Sequence, residues 1–188
     1  MHYFVIYKPY GYLSQFTPEK DGDLTLKDLY PFHLDVYPVG RLDKDSEGLL
    51  LLTNDASMNH LILSPDKKWP KVYRVQLEGS ITDSAIKKLS TSVSIRINGK
   101  IYNTKPSMVH SIIGEPNLPE RIPSIRFRKS SPTSWIEITI TEGKNRQIRK
   151  MCASVGFPVL RIVRVKIGKI KLDGMSPGEV ILLKNGFL

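Results

Sequence analysis

The chain has 188 residues, enough for one large domain or two small ones. Hydrophobic residues make up 40% of the sequence and charged residues 24%, a composition that excludes a disordered or fibrous protein. The net charge of +10 favours a polyanionic partner, either nucleic acid or an acidic membrane surface, and the single cysteine excludes an internal disulfide framework.

Strands and short helices alternate along the chain. Strands are predicted over residues 3–7, 48–53, 71–77, 107–113, 134–141, 159–167, 169–172 and 180–183, and a hairpin over 94–102 with Asn98-Gly99 as its turn. Helices are predicted over residues 24–29, 56–63 after Asp55, 83–89 after Thr82, and 144–155. This order predicts an α/β (α+β) fold with a mixed, mainly antiparallel central sheet and flanking helices.

Two features of the sequence bear on the compartment. The longest apolar run, residues 49–52, is far shorter than the ~20 residues that a membrane span requires. The first residues show no basic segment followed by an apolar core, so we expect no secretory signal and a cytoplasmic protein.

The positive charge is concentrated in one stretch. Residues 121–171 contain 13 Lys or Arg and two acids, Glu137 and Glu142, a net charge of +11. Because these cations alternate with apolar residues, we predict a folded basic face rather than a charged tail.

The segment from Asp43 to Gly48 admits several interpretations. Its alternating acids imitate the start of a calcium loop, but the twelfth position is Asn54 and not a bidentate Glu. Asp43 and Asp45 also resemble a carboxylate pair for glycosidic chemistry. The plainest alternative is a polar turn that leads into a buried strand.

The other candidate reactive groups do not form a recognisable site. Cys152 falls on the apolar face of its predicted helix, with Ile148 and Met151, and is expected to be a buried structural thiol. The four histidines are scattered and lack metal-ligand spacing, and no glycine-rich phosphate loop is present. We therefore predict neither a zinc site nor a phosphate-binding loop.

Three longer motifs carry a resemblance to a known family. They are GRLDKDSEGLLLLTND at residues 40–55, KVYRV at 71–75 and EGKNRQIRKMCASVGFPVLRIVRVKIG at 142–168. In this order they resemble the pseudouridine synthases of ribosomal RNA, in the branch with the small-subunit enzyme A and the large-subunit enzymes B, E and F. The match extends over nearly the whole chain. Only 42 residues precede Asp43, so an appended RNA-binding domain of the S-four type is not expected, and the E type is the most similar.

The resemblance implies roles for individual residues. Asp43 corresponds to the essential catalytic aspartate, and Tyr73 to the tyrosine that packs against the target base. Arg146 is expected to pair with Asp43, with Arg149 as the second choice. Arg41 is expected to help hold the flipped nucleotide.

The basic stretch supplies the expected RNA contacts. Flipping a nucleotide out of its stack costs a few kcal/mol, and phosphate contacts offset that cost. The residues predicted to bind RNA are Lys144, Lys150, Arg161, Arg164 and Lys166.

The implied reaction converts uridine to pseudouridine by breaking the N1–C1′ bond and rejoining the base through C5. It needs no cofactor, because neither redox change nor group transfer occurs. Asp43 either attacks the sugar, as in retaining glycosidases, or removes a proton at C2′, and the sequence leaves both routes open.

We therefore expect a single catalytic domain over residues 1–188, with two sub-domains around a cleft. One sub-domain comprises approximately residues 1–65 with part of the C-terminus, and the other approximately 66–175. The expected partner is ribosomal RNA, most simply of the large subunit, and the protein is expected to be a monomer without membrane contact. The alternatives are a non-catalytic RNA-binding or ribosome-assembly protein, and a hydrolase that uses Asp43 with Asp45.

Overall fold

The computed structural model describes residues 1–64, 69–125 and 132–183. Strands and short helices follow one another along the described chain. In chain order these are β1 (Tyr3–Lys8), a 3-10 turn (Leu26–Asp28), β2 (Tyr37–Pro38), β3 (Glu47–Thr53), α1 (Ala56–Leu63), β4 (Lys71–Glu78), α2 (Asp83–Ser90), β5 (Ser94–Ile97), β6 (Lys100–Asn103), β7 (Met108–Ile112), β8 (Thr133–Ile140), α3 (Gln147–Ser154), β9 (Val159–Ile167), β10 (Ile170–Lys171) and β11 (Val180–Leu182).

One large sheet organises these elements. Its main strand order is β11-β1-β3-β9-β4-β8-β7, with β2 beside β3 and β10 beside β9. The strand pairs are antiparallel except β3 with β9, which run parallel. β5 and β6 form a separate two-stranded sheet. The fold is therefore the mixed, mainly antiparallel α/β fold that the sequence predicts.

β3 lies in the middle of the sheet, and all seven of its residues are buried. Leu50 and Leu52 pack into the core on one face of the sheet. Leu49 and Leu51 pack into a second core on the opposite face. Since each fully buried leucine contributes roughly 1.5–3 kcal/mol, cover on both faces explains why this strand is continuously apolar.

The parallel contact between β3 and β9 depends on a glycine. Gly48 pairs with Arg164 across the two strands and has φ 105°. A Cβ atom at Gly48 would lie 2.3 Å from the carbonyl oxygen of Arg164, so a larger residue would push the strands apart. This close approach brings the turn before β3 next to β9.

The helix caps and the hairpin turn lie where the sequence predicts them. The Asp55 carboxylate accepts hydrogen bonds from the backbone of Ser57 and Met58 and caps α1, and the Thr82 side chain caps α2. Asn98 and Gly99 have φ 48° and 78°, as a primed hairpin turn requires. These predictions are confirmed.

The predicted start of the third helix is wrong. α3 begins at Gln147 and not at Lys144, because Arg146 has the left-handed conformation with φ 51° and residues 144–146 form a turn. The predicted helix over 24–29 is also reduced to the 3-10 turn Leu26–Asp28.

Cys152 is fully buried on the inner face of α3, as expected for a structural thiol. Burial raises the pKa of its thiol to about 12, so the thiolate that a nucleophile needs is disfavoured. None of the helices in the described part of the chain is long and apolar enough to cross a membrane.

Candidate active site

A cleft of about 470 Å³ lies beside the turn that leads into β3. Its walls come from the loop before that turn, from β4 and from the segment between β8 and α3. Among the described residues, its lining carries seven cationic side chains and two carboxylates. The cations are Arg41, Lys71, Lys105, Lys144, Arg146, Arg149 and Arg164, and the carboxylates are Asp43 and Glu142. Such a cleft suits a polyanionic ligand.

The loop that carries Asp43 is fixed at both ends by hydrogen bonds. The Ser14 hydroxyl donates to the Leu42 carbonyl at 2.8 Å and accepts from the Leu42 backbone N–H at 3.0 Å. The Ser46 N–H donates to the Asp43 carbonyl at 3.0 Å and closes the turn. The Asp43 side chain is about one-third exposed and reaches the cleft.

Three charged groups surround Asp43 at close range. Arg146 donates two hydrogen bonds to the Asp45 carboxylate, at 2.9 and 2.8 Å, and its Nη1 lies 3.7 Å from Asp43 Oδ2. Arg149 donates to the Asp45 carbonyl at 2.7 Å and lies 3.4 Å from its Oδ2. Arg146 therefore lies near Asp43 while both of its terminal nitrogens donate to Asp45.

The pKa values of Asp45, Arg146 and Arg149 reflect the ion pairs between them. Burial opposes ionisation of Asp45, but the hydrogen bond from Arg146 and the charges of both arginines outweigh it and lower its pKa. The bond to Asp45 raises the pKa of Arg146. Burial lowers the pKa of Arg149, although Asp45 opposes this shift.

Lys8 lies beneath the same turn and is fully buried. Its Nζ donates to the carbonyls of Pro9 and Tyr12 at 2.8 and 2.7 Å. Burial lowers the pKa of Lys8 to about 7, while the charges of Glu47, Asp45 and Asp43 act in the opposite direction. The lysine therefore fixes the loop that follows β1, and the Gly11 N–H of that loop donates to the Lys44 carbonyl of the acidic turn at 2.8 Å.

The other predicted substrate contacts lie along the cleft. Tyr73 is on β4 and lines the cleft with its side chain largely buried, and Arg41 lines the entrance as an exposed residue. The Lys144 ammonium lies 5.0 Å from the centre of the Tyr102 ring at the rim. Lys150 on α3 and Lys166 on β9 are partly buried and lie outside the cleft lining in the described chain.

Two of the predicted RNA contacts are buried. Arg161 is 7% exposed and forms a bidentate pair with Glu47 at 2.9 and 2.8 Å. Arg164 is 3% exposed, and its Nε donates to the Leu49 carbonyl at 2.7 Å. Each side chain is held by an internal partner, so in this structure neither presents a surface contact for phosphate. Arg164 nevertheless reaches the lining of the cleft.

The sequence analysis missed a polar network at the rim of the cleft. The Glu142 carboxylate accepts hydrogen bonds from Tyr102 Oη at 2.6 Å, from the Lys105 backbone N–H at 2.9 Å and from Gln147 Nε2 at 2.5 Å. Gln147 Oε1 in turn accepts from the Lys144 backbone N–H at 3.0 Å. The network attaches the β5–β6 sheet to the turn that carries Arg146. The sequence signal that could have indicated this network is Glu142 itself, an acid within the basic stretch.

Comparisons with known proteins agree with this architecture. The family model described as RNA pseudouridylate synthase matches residues 2–154. The "Ribosomal large subunit pseudouridine synthase E" of Vibrio vulnificus (strain CMCP6) is 46% identical over 172 residues, covering 92% of this chain and 70% of its own length. The protein of the same name from Xanthomonas campestris pv. campestris is 45% identical over 172 residues, covering 92% of this chain and 90% of its own length.

A solved structure gives the same result. The chain described as "Crystal structure of pseudouridylate synthase" superposes with a TM-score of 0.78 at 27% sequence identity, covering 97% of this chain and 70% of that chain. The range matched by the family model includes Asp43 and all elements from β1 to α3. The chain belongs to the RNA pseudouridylate synthase family.

Proposed function

We propose that this chain isomerises uridine to pseudouridine in the RNA of the large ribosomal subunit, and that Asp43 carries the reaction. The observation behind the proposal is the position of Asp43, a partly exposed carboxylate in a cleft whose other charged side chains are nearly all cationic. The names of the relatives in Vibrio and Xanthomonas support ribosomal RNA of the large subunit as the substrate.

The chemistry suits a carboxylate. The N1–C1′ bond breaks and positive character develops on the sugar, which an ionised Asp43 stabilises or captures covalently. In the competing route Asp43 takes the C2′ proton as a general base. In both routes the C5–C1′ bond then forms, the C5 proton leaves and N1 gains a proton. In the covalent route the bond between Asp43 and C1′ breaks at this step, and in the other route Asp43 returns the proton to C2′. The rearrangement is internal to the nucleotide, so we propose that it requires no cofactor.

Neighbouring side chains supply the remaining roles. We assign Tyr73 to the face of the detached uracil, which an aromatic ring retains without fixing its rotation. Arg41 contacts the flipped nucleotide at the entrance. Arg146 and Arg149 provide positive charge next to Asp43.

The cationic rim offers phosphate contacts for the flanking RNA. Lys144 is exposed at the cleft edge, and Lys150 and Lys166 extend the basic surface beyond it. These contacts offset the cost of flipping the target nucleotide. We propose Lys144, Lys150 and Lys166 as the RNA-binding residues, without Arg161 and Arg164.

We also propose that the cleft separates two sub-domains and that the enzyme acts as a cytoplasmic monomer. β3 and β9 pair at only two positions, Glu47 with Val163 and Gly48 with Arg164, which supports a division of the sheet there. Light scattering of the purified chain tests the monomeric state, and fractionation of cells tests the compartment.

The reaction is tested by tritium release from large-subunit ribosomal RNA labelled at C5 of uridine. We expect release by the wild-type protein and none by Asp43→Asn, with pseudouridine recovered only from the wild-type reaction. RNA binding without release by the wild type would instead support a non-catalytic RNA-binding protein. Release of free uracil, lost equally in Asp43→Asn and Asp45→Asn, would support a hydrolase.

The RNA contacts are tested by the salt dependence of binding. Replacing one phosphate-binding lysine lowers the slope of log K against log salt by about 0.7–0.9. We expect this change for Lys144→Gln and not for Lys171→Gln, an exposed lysine outside the cleft lining. An unchanged slope for Lys144→Gln would remove Lys144 from the proposed RNA contacts.

A further inference from the structure

Arg164 is a buried cation in the wall of the cleft. Only 3% of the residue is exposed, yet it belongs to the cleft lining. Its Nε donates to the Leu49 carbonyl at 2.7 Å, and its Nη2 is buried without a hydrogen-bond partner. In the part of the chain that the structure describes, no carboxylate forms an ion pair with Arg164, whereas Arg161 on the same strand pairs with Glu47.

An unpaired guanidinium at such a position is unfavourable for folding. Burial of a charge without a partner is costly, and arginine keeps its proton in proteins. Burial is the main cause of the lowered pKa of Lys71 and of Lys8, and the charge of Arg164 adds to it in both. The cleft therefore has positive charge at Arg164 that the described protein does not neutralise, and an anion bound there would do so.

The strand register places Arg164 next to Tyr73. The two residues are partners in the antiparallel pair of β4 and β9, so their side chains are neighbours on one face of the sheet, and both line the cleft. On the other side Arg164 pairs with Gly48 at the start of β3, directly after the turn that carries Asp43. Arg164 therefore lies in the part of the cleft to which we assign the detached uracil.

The proposed reaction generates an anion at this place. When the N1–C1′ bond breaks, its electron pair stays with the uracil, and the negative charge spreads over N1, O2 and O4. Fixed donors that face such a developing charge lower the barrier to its formation. A backbone phosphate fits less well, because it meets the exposed cations of the rim, such as Lys144, before it can reach a side chain as buried as that of Arg164.

We propose that Arg164 is a further catalytic residue, whose guanidinium donates a hydrogen bond to O2 or O4 of the uracil as the N1–C1′ bond breaks. The inference rests on the proposed function and adds a group that stabilises the leaving base to the role of Asp43 at the sugar. Arg164 keeps its proton throughout. The uracil anion attacks C1′ through C5, the C5 proton leaves and N1 gains a proton, so the base ends neutral.

The test compares Arg164→Met, which removes the charge, with Arg164→Lys, which keeps it. Tritium release from large-subunit ribosomal RNA labelled at C5 of uridine is followed in single turnover at several enzyme concentrations. These measurements separate the rate constant of bound RNA from the half-saturating enzyme concentration.

We expect Arg164→Met to lower the rate constant about hundredfold, as does removal of one donor to a developing oxyanion, with a half-saturating concentration within about threefold of the wild type. Arg164→Lys should recover about tenfold of the lost rate, because a point charge replaces part of the effect of the fork.

Two controls define what other roles would produce. Lys144→Gln, at the rim, should raise the half-saturating concentration, as loss of a phosphate contact does. Arg161→Met removes an arginine from the same strand that is also buried but paired, and should lower Tm by at least about 6 °C. Arg164→Met should keep Tm within about 4 °C of the wild type, because no ion pair is lost.

Several results would overturn the inference. A loss of rate below about tenfold in Arg164→Met, or equal losses in Arg164→Met and Arg164→Lys, would exclude the charge as a catalytic group. A change in the half-saturating concentration alone would make Arg164 a phosphate contact. A fall in Tm as large as that of Arg161→Met, or failure to fold, would assign the guanidinium to stability.

The proposed function is examined separately by Asp43→Asn in the same assay. No release by the wild type, or wild-type rates in Asp43→Asn, would refute that function. Loss of release in Asp43→Asn together with a near-normal rate in Arg164→Met would refute only the inference about Arg164.

Discussion

Glu47 and Arg161 form a buried bidentate ion pair between residues that are 114 positions apart in the sequence. The two side chains are only 3% and 8% exposed, and Arg161 also donates to the Pro119 carbonyl at 2.8 Å. Glu47 is the first residue of β3 and follows the turn that carries Asp43. The pair therefore fixes the start of the central strand against β9, and the candidate active site depends on it.

Breaking this pair from one side should destabilise the protein strongly. A buried charge that loses its partner costs about 3–5 kcal/mol, so Arg161→Gln or Glu47→Gln should lower the free energy of unfolding by roughly that amount. The double variant Glu47→Gln/Arg161→Gln should lose less than the sum of the two, because neither charge remains unpaired. Urea denaturation measures all three. Additive losses would show that the two residues stabilise the fold independently.

Because β3 and β9 approach closely at Gly48, we expect replacement of this glycine to be unusually destabilising. Gly48→Ala places a Cβ atom 2.3 Å from the Arg164 carbonyl oxygen and also strains a φ of 105°. Gly22→Ala is the matched control, since Gly22 has φ 81° but no atom within 4 Å of the added Cβ. We expect about 1–2 kcal/mol of destabilisation for Gly22→Ala, from the backbone alone.

For Gly48→Ala we expect a loss larger than that of Gly22→Ala by at least about 2 kcal/mol, or failure to fold. Urea unfolding of the purified variants gives the comparison, and expression of soluble protein covers the case of failure. Equal losses in the two variants would mean that the strands separate at little cost. The parallel contact would then be less rigid than its geometry indicates.

Glu142 should matter for RNA binding because it holds the rim of the cleft together. Its carboxylate accepts from Tyr102, Gln147 and the Lys105 backbone and so fixes the rim of the cleft. Glu142→Gln replaces one acceptor oxygen by an N–H donor, which leaves at least one donor unpaired and costs about 1–3 kcal/mol. We expect KM for RNA to rise about tenfold while kcat changes less.

Glu137→Gln is the control for this prediction. Glu137 is the other acid of the basic stretch, but it is 38% exposed and pairs with Arg74 at 3.6 Å, a contact worth about 0–1 kcal/mol. Steady-state kinetics with C5-labelled RNA should therefore show a near-normal KM for this variant. A similar rise in KM for both variants would indicate a general effect of charge and not the loss of the rim network.

The sequence predicts the elements better than it predicts the positions of charged side chains. The period-two pattern of β8 and the caps of α1 and α2 are local signals, and the structure confirms them. Whether an arginine faces water or the interior is decided by distant residues. Arg161 is buried because Glu47 lies across the sheet, and the sequence spacing of the basic stretch carries no sign of this contact.

The same distinction applies to the candidate site. The resemblance indicated Asp43, Tyr73 and Arg146, and all three line the cleft. The hydrogen bonds of Arg146 to Asp45 could not be foreseen, because the left-handed backbone of Arg146 interrupts the helix that the sequence pattern favours. The helical periodicity of residues 144–155 was misleading at the point where the chain turns toward the cleft.

The buried Lys8 predicts a specific pH dependence of stability. Its folded-state pKa is about 7, against an ordinary value of 10.5, so above pH 7 the folded protein loses this proton while the unfolded chain keeps it. The unfolded state then binds more protons, and the free energy of unfolding should rise with pH, by at most about 1.4 kcal/mol per pH unit for one proton. Below pH 7 both states are protonated and the full cost of burying the charge remains.

Urea unfolding at several pH values between 7 and 9 measures this slope. Lys8→Met should abolish the contribution, whatever its absolute stability after the carbonyls of Pro9 and Tyr12 lose their donor. Lys171→Met, at an exposed lysine, should keep the wild-type slope. A flat profile in the wild type, or a slope that survives in Lys8→Met, would show that Lys8 stays charged in the folded protein. The charges of Glu47, Asp45 and Asp43 would then outweigh its burial, and the lysine would act as a permanent counter-ion beneath the acidic turn.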